Sequence, residues 1–555
     1  MTDTLNGYTR RWWKEAVVYQ IYPRAFKDSN GDGIGDLGGI LEKVDYIKGL
    51  GVDVVWLSPH FDSPNADNGY DIRDYRKVMA EFGTMRDFDA LLAALKAAGI
   101  RLIIDLVVNH SSDEHAWFVE SRASRDNPYR DYYIWRPGKD NGSGGDAAPN
   151  NFTSIFTGPA WTKDEATGDY YLHLFAAKQP DLNWDNPKVR DEVYDLMRFW
   201  LDKGVDGFRM DVIPFISKRP GLPGLTDAER AKPQFVYAGG PKLHDYLQEM
   251  RREALAPYDT MTVGEAFGVT LEQTPLFVDD RRGELDMIFQ FDVVEIDRDA
   301  QGKWKPWRLQ DFKAIFSRHD AALNSHCWPT VFFSNHDNPR IVSRYGDERP
   351  QWRETSAKLM ATLLLTLKGT PFIYQGDELA MTNYPFTDIG QFDDLWVKGQ
   401  WHEEVDSGRI SPDAFLANQM KISRDHARTP MQWTSGAHGG FTTGKPWLAV
   451  NPNAGEINAA QALADPSSVY RYYAAMIALR RKHPVLIYGD YEDLLPEHPQ
   501  VFAYRRTTKD ETLVVALNFS DEAVGVDLPD GERLFGNYDD KTPVLRGWEA
   551  RISRL

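Results

Sequence analysis

The sequence contains a single cysteine, Cys327, so it can close no internal disulfide and offers no thiolate cluster to a metal. That usage fits a reducing compartment, and a cytoplasmic protein is expected. No uninterrupted apolar run reaches the roughly 20 residues that span a bilayer, so no membrane anchor is expected. Residues 1–13 lack the apolar core and small-residue cleavage site of a signal peptide. Positive charge is also scarce: 64 Lys and Arg face 82 Asp and Glu, leaving a formal charge of −18. Phosphate backbones are bound by basic surfaces, so nucleic acid is not expected as a partner, and a small neutral substrate is favoured.

The chain is long and aromatic. Its 555 residues exceed one ordinary core, so a large domain with one or two smaller ones is expected. Seventeen Trp and 25 Tyr supply flat amphipathic surface that serves packing and can stack on sugar rings.

Short β-branched and aromatic runs alternate with segments of helical spacing. Strands are expected at 16–23, 52–59, 100–108, 205–211, 260–265, 287–291, 330–335 and 371–375, and helices at 41–50, 88–98 and 189–201. Parallel strands need crossover connections, usually helical. Eight such units close into a (β/α)8 TIM barrel with its active site at the C-terminal ends of the strands. The alternation predicts an α/β barrel over 1–109 and 180–480. It is interrupted over 110–179, where a connection far longer than a βα loop includes the glycine-rich tract 138–145, and an inserted subdomain overhanging the mouth is expected after strand three. A second long connection, 380–433, can form another wall. Beyond a helix at 469–481, apolar runs at 501–505, 512–518 and 523–528 are split by turn residues, predicting a C-terminal antiparallel β-domain over 481–555, read as a small sandwich.

Four of the expected strands end in charged residues. Arg209 and Asp211, two apart on a strand, share a face, and a guanidinium beside a carboxylate favours its ionised form. That pair is either structural or a held nucleophile for a sugar's anomeric carbon. Glu265 follows a mostly apolar approach that suits a general acid, and together with Asp211 it supplies the two carboxyls of glycoside hydrolysis. Asp337 brings a third acid beside His336, and His110 a second imidazole. Close metal-ligand spacing of the HExxH kind is absent, so these histidines read as neutral donors to sugar hydroxyls. Asp28, Asn30, Asp32 and Asp36 fall at positions 1, 3, 5 and 9 of an EF-hand-like loop, with Gly33 at position 6 and Ile34 offering its carbonyl at position 7. Position 12 is Gly39, so the bidentate glutamate is missing. The loop reads as a structural Ca2+ (or Mg2+) site or as an unmetallated Asx-rich turn.

In this order and spacing, 105–110, 207–213, 264–267 and 333–340 resemble the motifs of glycoside hydrolase family 13, the α-amylase superfamily, over nearly the whole chain. The resemblance implies a retaining mechanism with Asp211 as nucleophile, Glu265 as acid/base and Asp337 gripping the distorted sugar. It also implies Arg209, His110 and His336 around that sugar and Asp105 as a buried structural acid. The fourth motif departs slightly, with Ser334-Asn335 where Asn-Asn is also common. Gln179-Pro-Asp-Leu-Asn183 and Ser423–Trp433 resemble segments of the oligo-1,6-glucosidase group. There an Asp-Arg pair closes the pocket behind the terminal glucose, and Asp71 and Arg424 are the matching positions. Val212 occupies a place where relatives preferring α-1,6 bonds carry Val. Glu295-Ile-Asp-Arg-Asp299 partly resembles a segment of sucrose isomerases, with Glu in place of the leading Arg. Phe267 and Phe291 are candidate aromatic walls.

The expected activity is that of an exo-acting retaining α-glucosidase on short α-glucosides, α-1,6-linked by preference, acting as a monomer or homodimer. The alternative is a sucrose-acting glucosyltransferase or isomerase, or a glucosidase preferring α-1,4 bonds or sucrose. A non-catalytic transporter subunit sharing the barrel would need an anchor and tolerate loss of the acids, and all three acids are present.

Overall fold

A computed structural model describes residues 3–140 and 146–555. The last five residues of the glycine-rich tract, 141–145, and the first two of the chain lie outside the described residues. Eight parallel strands form one sheet: β1 (Val18–Ile21), β2 (Val54–Leu57), β3 (Arg101–Leu106), β4 (Gly207–Met210), β5 (Met261–Glu265), β6 (Met287–Phe289), β7 (Thr330–Val331) and β8 (Thr370–Tyr374). Their order is β6-β5-β4-β3-β2-β1-β8-β7, with every hydrogen-bonded pair parallel. Between β6 and β7 the sheet closes through side chains: the Thr330 hydroxyl donates to the Ile288 carbonyl at 3.0 Å, and the Phe289 and Phe332 rings lie 4.8 Å apart. The expected (β/α)8 barrel is the observed fold.

Period-two alternation sorts the strand residues into two cores. Val18, Val54, Trp56, Ile103, Met261, Val263, Met287, Phe289 and Phe372 form one buried cluster. Their neighbours Tyr19, Val55, Leu102, Ile104, Phe208 and Ile288 join a second, larger cluster with the helices. Arg209 pairs in register with Asp105 on β3 and Val263 on β5, so the site's charges continue the alternation that fills the barrel below them. The crossover helix Pro187–Lys203 shows why such helices start and stop where they do. Asn186 caps its first turn, Pro187 needs no amide partner there, and Gly204 takes the left-handed conformation that ends it. Gly207 opens β4 at φ +149°, and a Cβ there would sit 1.9 Å from the Met261 carbonyl oxygen. Only glycine lets β4 approach β5 so closely.

The chain leaves the barrel after β3 and returns by 181–182, where His110 bridges Asp181 and the Leu182 amide donates to Asn109. Between lie the helix Ala116–Ala123 and a three-stranded antiparallel sheet, Trp161–Lys163, Asp169–Leu172 and Trp135–Pro137. Phe118, Tyr133, Trp135 and Tyr171 pack ring on ring to hold it. At the C-terminus β9 (Asp490–Asp493), β10 (Val501–Thr507), β11 (Thr512–Asn518), β12 (Glu532–Gly536) and β13 (Ala550–Arg554) form an antiparallel sheet in the order β9-β10-β11-β13-β12. Its Phe502, Tyr504, Leu513 and Val515 join the larger core. The opposite face, with Val501, Ala503 and Ala516, is covered by Leu545, Val524, Val526 and Leu528. The strand expected at 523–528 is thus a covering segment, tied by a bridge from Val524 to Leu545. No helix among the described residues is long and apolar enough to cross a membrane.

Candidate active site

At the C-terminal mouth of the barrel a buried guanidinium ties together acids from three strands. Arg209 lies 2.6 Å from Asp105 Oδ1, 2.6 Å from Asp211 Oδ1 and 2.7 Å from Glu265 Oε2. Asp105 is fixed from behind by the Trp56 indole N–H at 2.7 Å. Burial, with the charges of Glu265 and Asp105, pushes Asp211 well above the usual carboxylate range, and Arg209 opposes that push. The expected contact is present, but burial outweighs the guanidinium, a balance that strand spacing does not reveal.

Val212, directly after Asp211, adopts a left-handed backbone at φ 34°, ψ 39°, and its N–H donates to Glu265 Oε2 at 3.1 Å. A β-branched residue rarely takes this conformation, so the turn that ends β4 is strained.

Asp337 sits opposite. His336 Nε2 approaches its carboxylate at 3.1 Å, Arg424 at 3.2 Å and Arg428 at 2.7 Å. Burial acts to raise this carboxyl, but the imidazole and two guanidiniums outweigh it and hold Asp337 well below the usual range. His336 is wholly buried between Tyr22 and Tyr70, stacked on both rings. Its Nδ1 faces the Gln20 amide donor at 2.8 Å, and its Nε2 also meets the Tyr70 hydroxyl at 2.6 Å. His110 is buried against Phe175, and burial pushes it down to about 4, so it is neutral at physiological pH.

The inner end of the pocket is closed by Arg424. Its Nε and Nη2 donate to Asp394 at 2.9 and 2.6 Å, and Nη2 stands 4.0 Å from Asp67. Of the two acids in this loop, Asp67 and not Asp71 is therefore the one within reach of Arg424. Asp71 is wholly buried and turned into its own loop, where it accepts from the Ser63 hydroxyl at 3.0 Å and from the Ala66 and Asp67 amides at 2.9 Å each. Asp67 and Asp71 lie four residues apart in an irregular loop, where neither strand nor helix period says which acid turns inward. Burial pushes Asp67 up to about 7, against Arg424 and Arg428, and it accepts from Gln179 at 3.0 Å.

Asp67, Tyr70, Asp211, Glu265, Asp337, Asp394 and Arg424 line one cavity of about 720 Å³, together with His110, Val212, Phe267, Phe291, Glu295 and Arg298, while Asp105, Arg209, His336 and Arg428 stand behind that lining. The Phe267 and Phe291 rings lie 5.3 Å apart and are tilted 45° to each other. Asp67, Tyr70, Arg428 and Asp394 escaped sequence reasoning. Only Asp67 and Arg428 carried a signal, each four residues from a residue already singled out.

Loop 28–36 is a run of Asx turns. Asp28 accepts from the amides of Asn30, Gly31 and Gly33, Asn30 from Asp32, and Asp32 from Ile34. Asp36 accepts from Ser29 and Gly39. The set offers oxygen donors only, which fits a hard cation, but its three carboxylates do not converge. Among the described residues, Asp279, Asp280 and His326 are the group of acids and imidazole whose donor atoms fall within 4.8 Å of one another, and that group could hold a metal ion.

The profile described as "Alpha amylase, catalytic domain" matches residues 20–489, and "Maltogenic Amylase, C-terminal domain" matches 491–548. The chain belongs to glycoside hydrolase family 13, the α-amylase superfamily. Family members at similar distance carry different names. An oligo-1,6-glucosidase of Halalkalibacterium halodurans is 52% identical, with 98% of each chain covered. The trehalulose synthase of Pseudomonas mesoacidophila MX-45 is 52% identical with a TM-score of 0.96, covering 98% of this chain and 99% of that one. An isomaltulose synthase mutant of Erwinia rhapontici NX5, solved with its natural substrate sucrose, is 50% identical with a TM-score of 0.96, over 98% and 99%. The family and the cavity establish a site for small sugars and a catalytic domain that acts on α-glucosidic bonds.

Proposed function

We propose that this family 13 enzyme takes one terminal glucose from a short α-glucoside and retains its anomeric configuration. The observation that carries the reading is the blind inner end: Arg424, bonded to Asp394 and Asp337 and facing Asp67, leaves room behind the sugar for hydrogen bonds and no further chain. In this reading Asp211 attacks the anomeric carbon while Glu265 gives its proton to the leaving oxygen, leaving a glucosyl ester on Asp211. Glu265 then takes a proton from the incoming hydroxyl, which displaces the ester. Binding both carboxyls to Arg209 supports the short spacing of a retaining pair. Asp337, held ionised, the neutral His110 and the imidazole of His336 grip the sugar hydroxyls.

Two fates of the ester are open to this cavity, and both have support. Hydrolysis of α-1,6 bonds is supported by Val212, by Glu295 standing where sucrose isomerases carry Arg, and by the oligo-1,6-glucosidase relatives. Glucosyl transfer within sucrose is supported by Arg298 in the cavity wall and by full-length likeness to sucrose-converting enzymes at the same identity. A product time course on isomaltose, maltose and sucrose decides between them. Glucose released first as the α-anomer from isomaltose assigns hydrolysis; isomaltulose or trehalulose as the main product from sucrose assigns transfer; and release of the β-anomer would overturn retention. We also propose that loop 28–36 closes on a structural Ca2+ or Mg2+, which would draw together the oxygens of Asp28, Asn30, Asp32 and Asp36 and the Ile34 carbonyl, carboxylates that stand apart without it. Chelation should then lower the melting temperature, and an unchanged value would refute the site.

A further inference from the structure

We propose that Asp394 is the positioning residue that fixes Arg424 across the blind end of the pocket, and that Asp425 secures Asp394 in turn. The proposal rests on the exo-acting reading above. Arg424 is a long side chain with three acids in reach, and its hydrogen bonds show which one sets its direction. Asp394 takes two of them, from Nε at 2.9 Å and Nη2 at 2.6 Å, whereas Asp337 takes one at 3.2 Å and Asp67 stands off at 4.0 Å. A bidentate, buried carboxylate matches the planar fork of a guanidinium and holds it in one orientation. The Phe156 and Trp396 rings flank that fork at 5.3 and 5.8 Å.

Asp394 is itself fixed. Its carboxylate accepts from the Trp396 amide at 2.9 Å, capping the helix Leu395–Trp401. Its own amide and that of Asp393 donate to Asp425 Oδ2 at 3.0 and 2.7 Å. Asp425 is the residue after Arg424, so two stretches of one long connection clamp each other: the carboxylate of 394 holds the side chain of 424, and the carboxylate of 425 holds the backbone of 393 and 394. Freed from Asp394, Arg424 would turn onto Asp67 or Asp337 and occupy the oxygens that face the sugar.

The test is steady-state kinetics on isomaltose for the wild type, Asp394→Asn, Arg424→Lys and the double variant. Asp394→Asn should raise KM roughly tenfold or more while kcat changes by less than about threefold, the signature of lost ground-state binding. It should also open activity toward a disaccharide glycoside blocked at its non-reducing end. The double variant should be no worse than Arg424→Lys alone, because both changes remove one device. A fall in kcat with KM unchanged, or effects that multiply in the double variant, would overturn the proposal. If Asp394→Asn does not fold, Asp425→Asn takes its place and should raise KM in the same direction. If the wild type turns over no glucoside, the exo reading fails and calorimetric binding of glucose decides the positioning claim. At least tenfold weaker binding in the variant supports the claim, and equal binding, or none in either protein, refutes it.

Discussion

At the inner end of the cavity the side chains come mainly from barrel strands or the residues just beyond them, and charge locks them: Arg209 holds Asp105, Asp211 and Glu265, while Arg424 and Arg428 hold Asp337. At the outer end Phe267, Phe291, Glu295 and Arg298 come from the connections after β5 and β6, and two of them meet only as rings 5.3 Å apart. The inner groups have few alternative arrangements, because each charge is buried against a fixed partner. Among the outer groups Arg298 pairs with the buried Asp297, but Arg344 holds that carboxylate too, so these groups can be exchanged without leaving a buried charge alone. That difference matches the relatives, which keep one family yet carry names for hydrolysis and for sucrose conversion.

The sharpest way to break the comparison is at its charged centre. Asp211→Asn should lower kcat/KM roughly a thousandfold or more, since no ester can form. Activity should also fall on the acid side as the Asp211 nucleophile takes up a proton. Because burial raises Asp211, that acid limb should lie above the ~3.9 of a free aspartate. A pH–rate profile whose acid limb sits at or below that value would show that burial does not govern Asp211.

The next effect is smaller and separates two acids four residues apart. Asp67→Asn should raise KM roughly tenfold with little change in melting temperature, as expected of a group that meets the substrate. Asp71→Asn should leave KM alone and cost about 1–3 kcal/mol of stability, because its carboxylate satisfies three buried donors of its own loop. Urea unfolding and initial rates on both variants check the pair, and the reverse pattern would return the pocket to Asp71.

This pair also marks where the sequence stops being legible. Strand periodicity put Arg209 and Asp211 on one face and Glu265 at the end of β5, and barrel closure brought His336 and Asp337, beyond the short β7, to the same mouth. Asp67, Asp394 and Arg428 lie in irregular connections, where orientation is decided by tertiary contacts such as the Asp394–Arg424 fork. The expected strand at 523–528 failed for a related reason. Its apolar residues cover the face of a sheet whose edge is already taken by β12.

The mildest change belongs at the outer end. Burial raises the Glu295 carboxyl, and its neighbours in the cavity wall include Arg298, Asp299 and Lys232. An acid here repels no neutral sugar, but Arg in its place would add a guanidinium beside the leaving group, where an acceptor waits. Glu295→Arg should therefore shift the ratio of transfer to hydrolysis by a few-fold on sucrose and leave the acid limb of the pH profile in place, because that limb belongs to Asp211. Product ratios by chromatography across pH check both halves. A moved acid limb would mean that the outer end reaches the charged centre after all, and that the two ends of the pocket are one electrostatic unit.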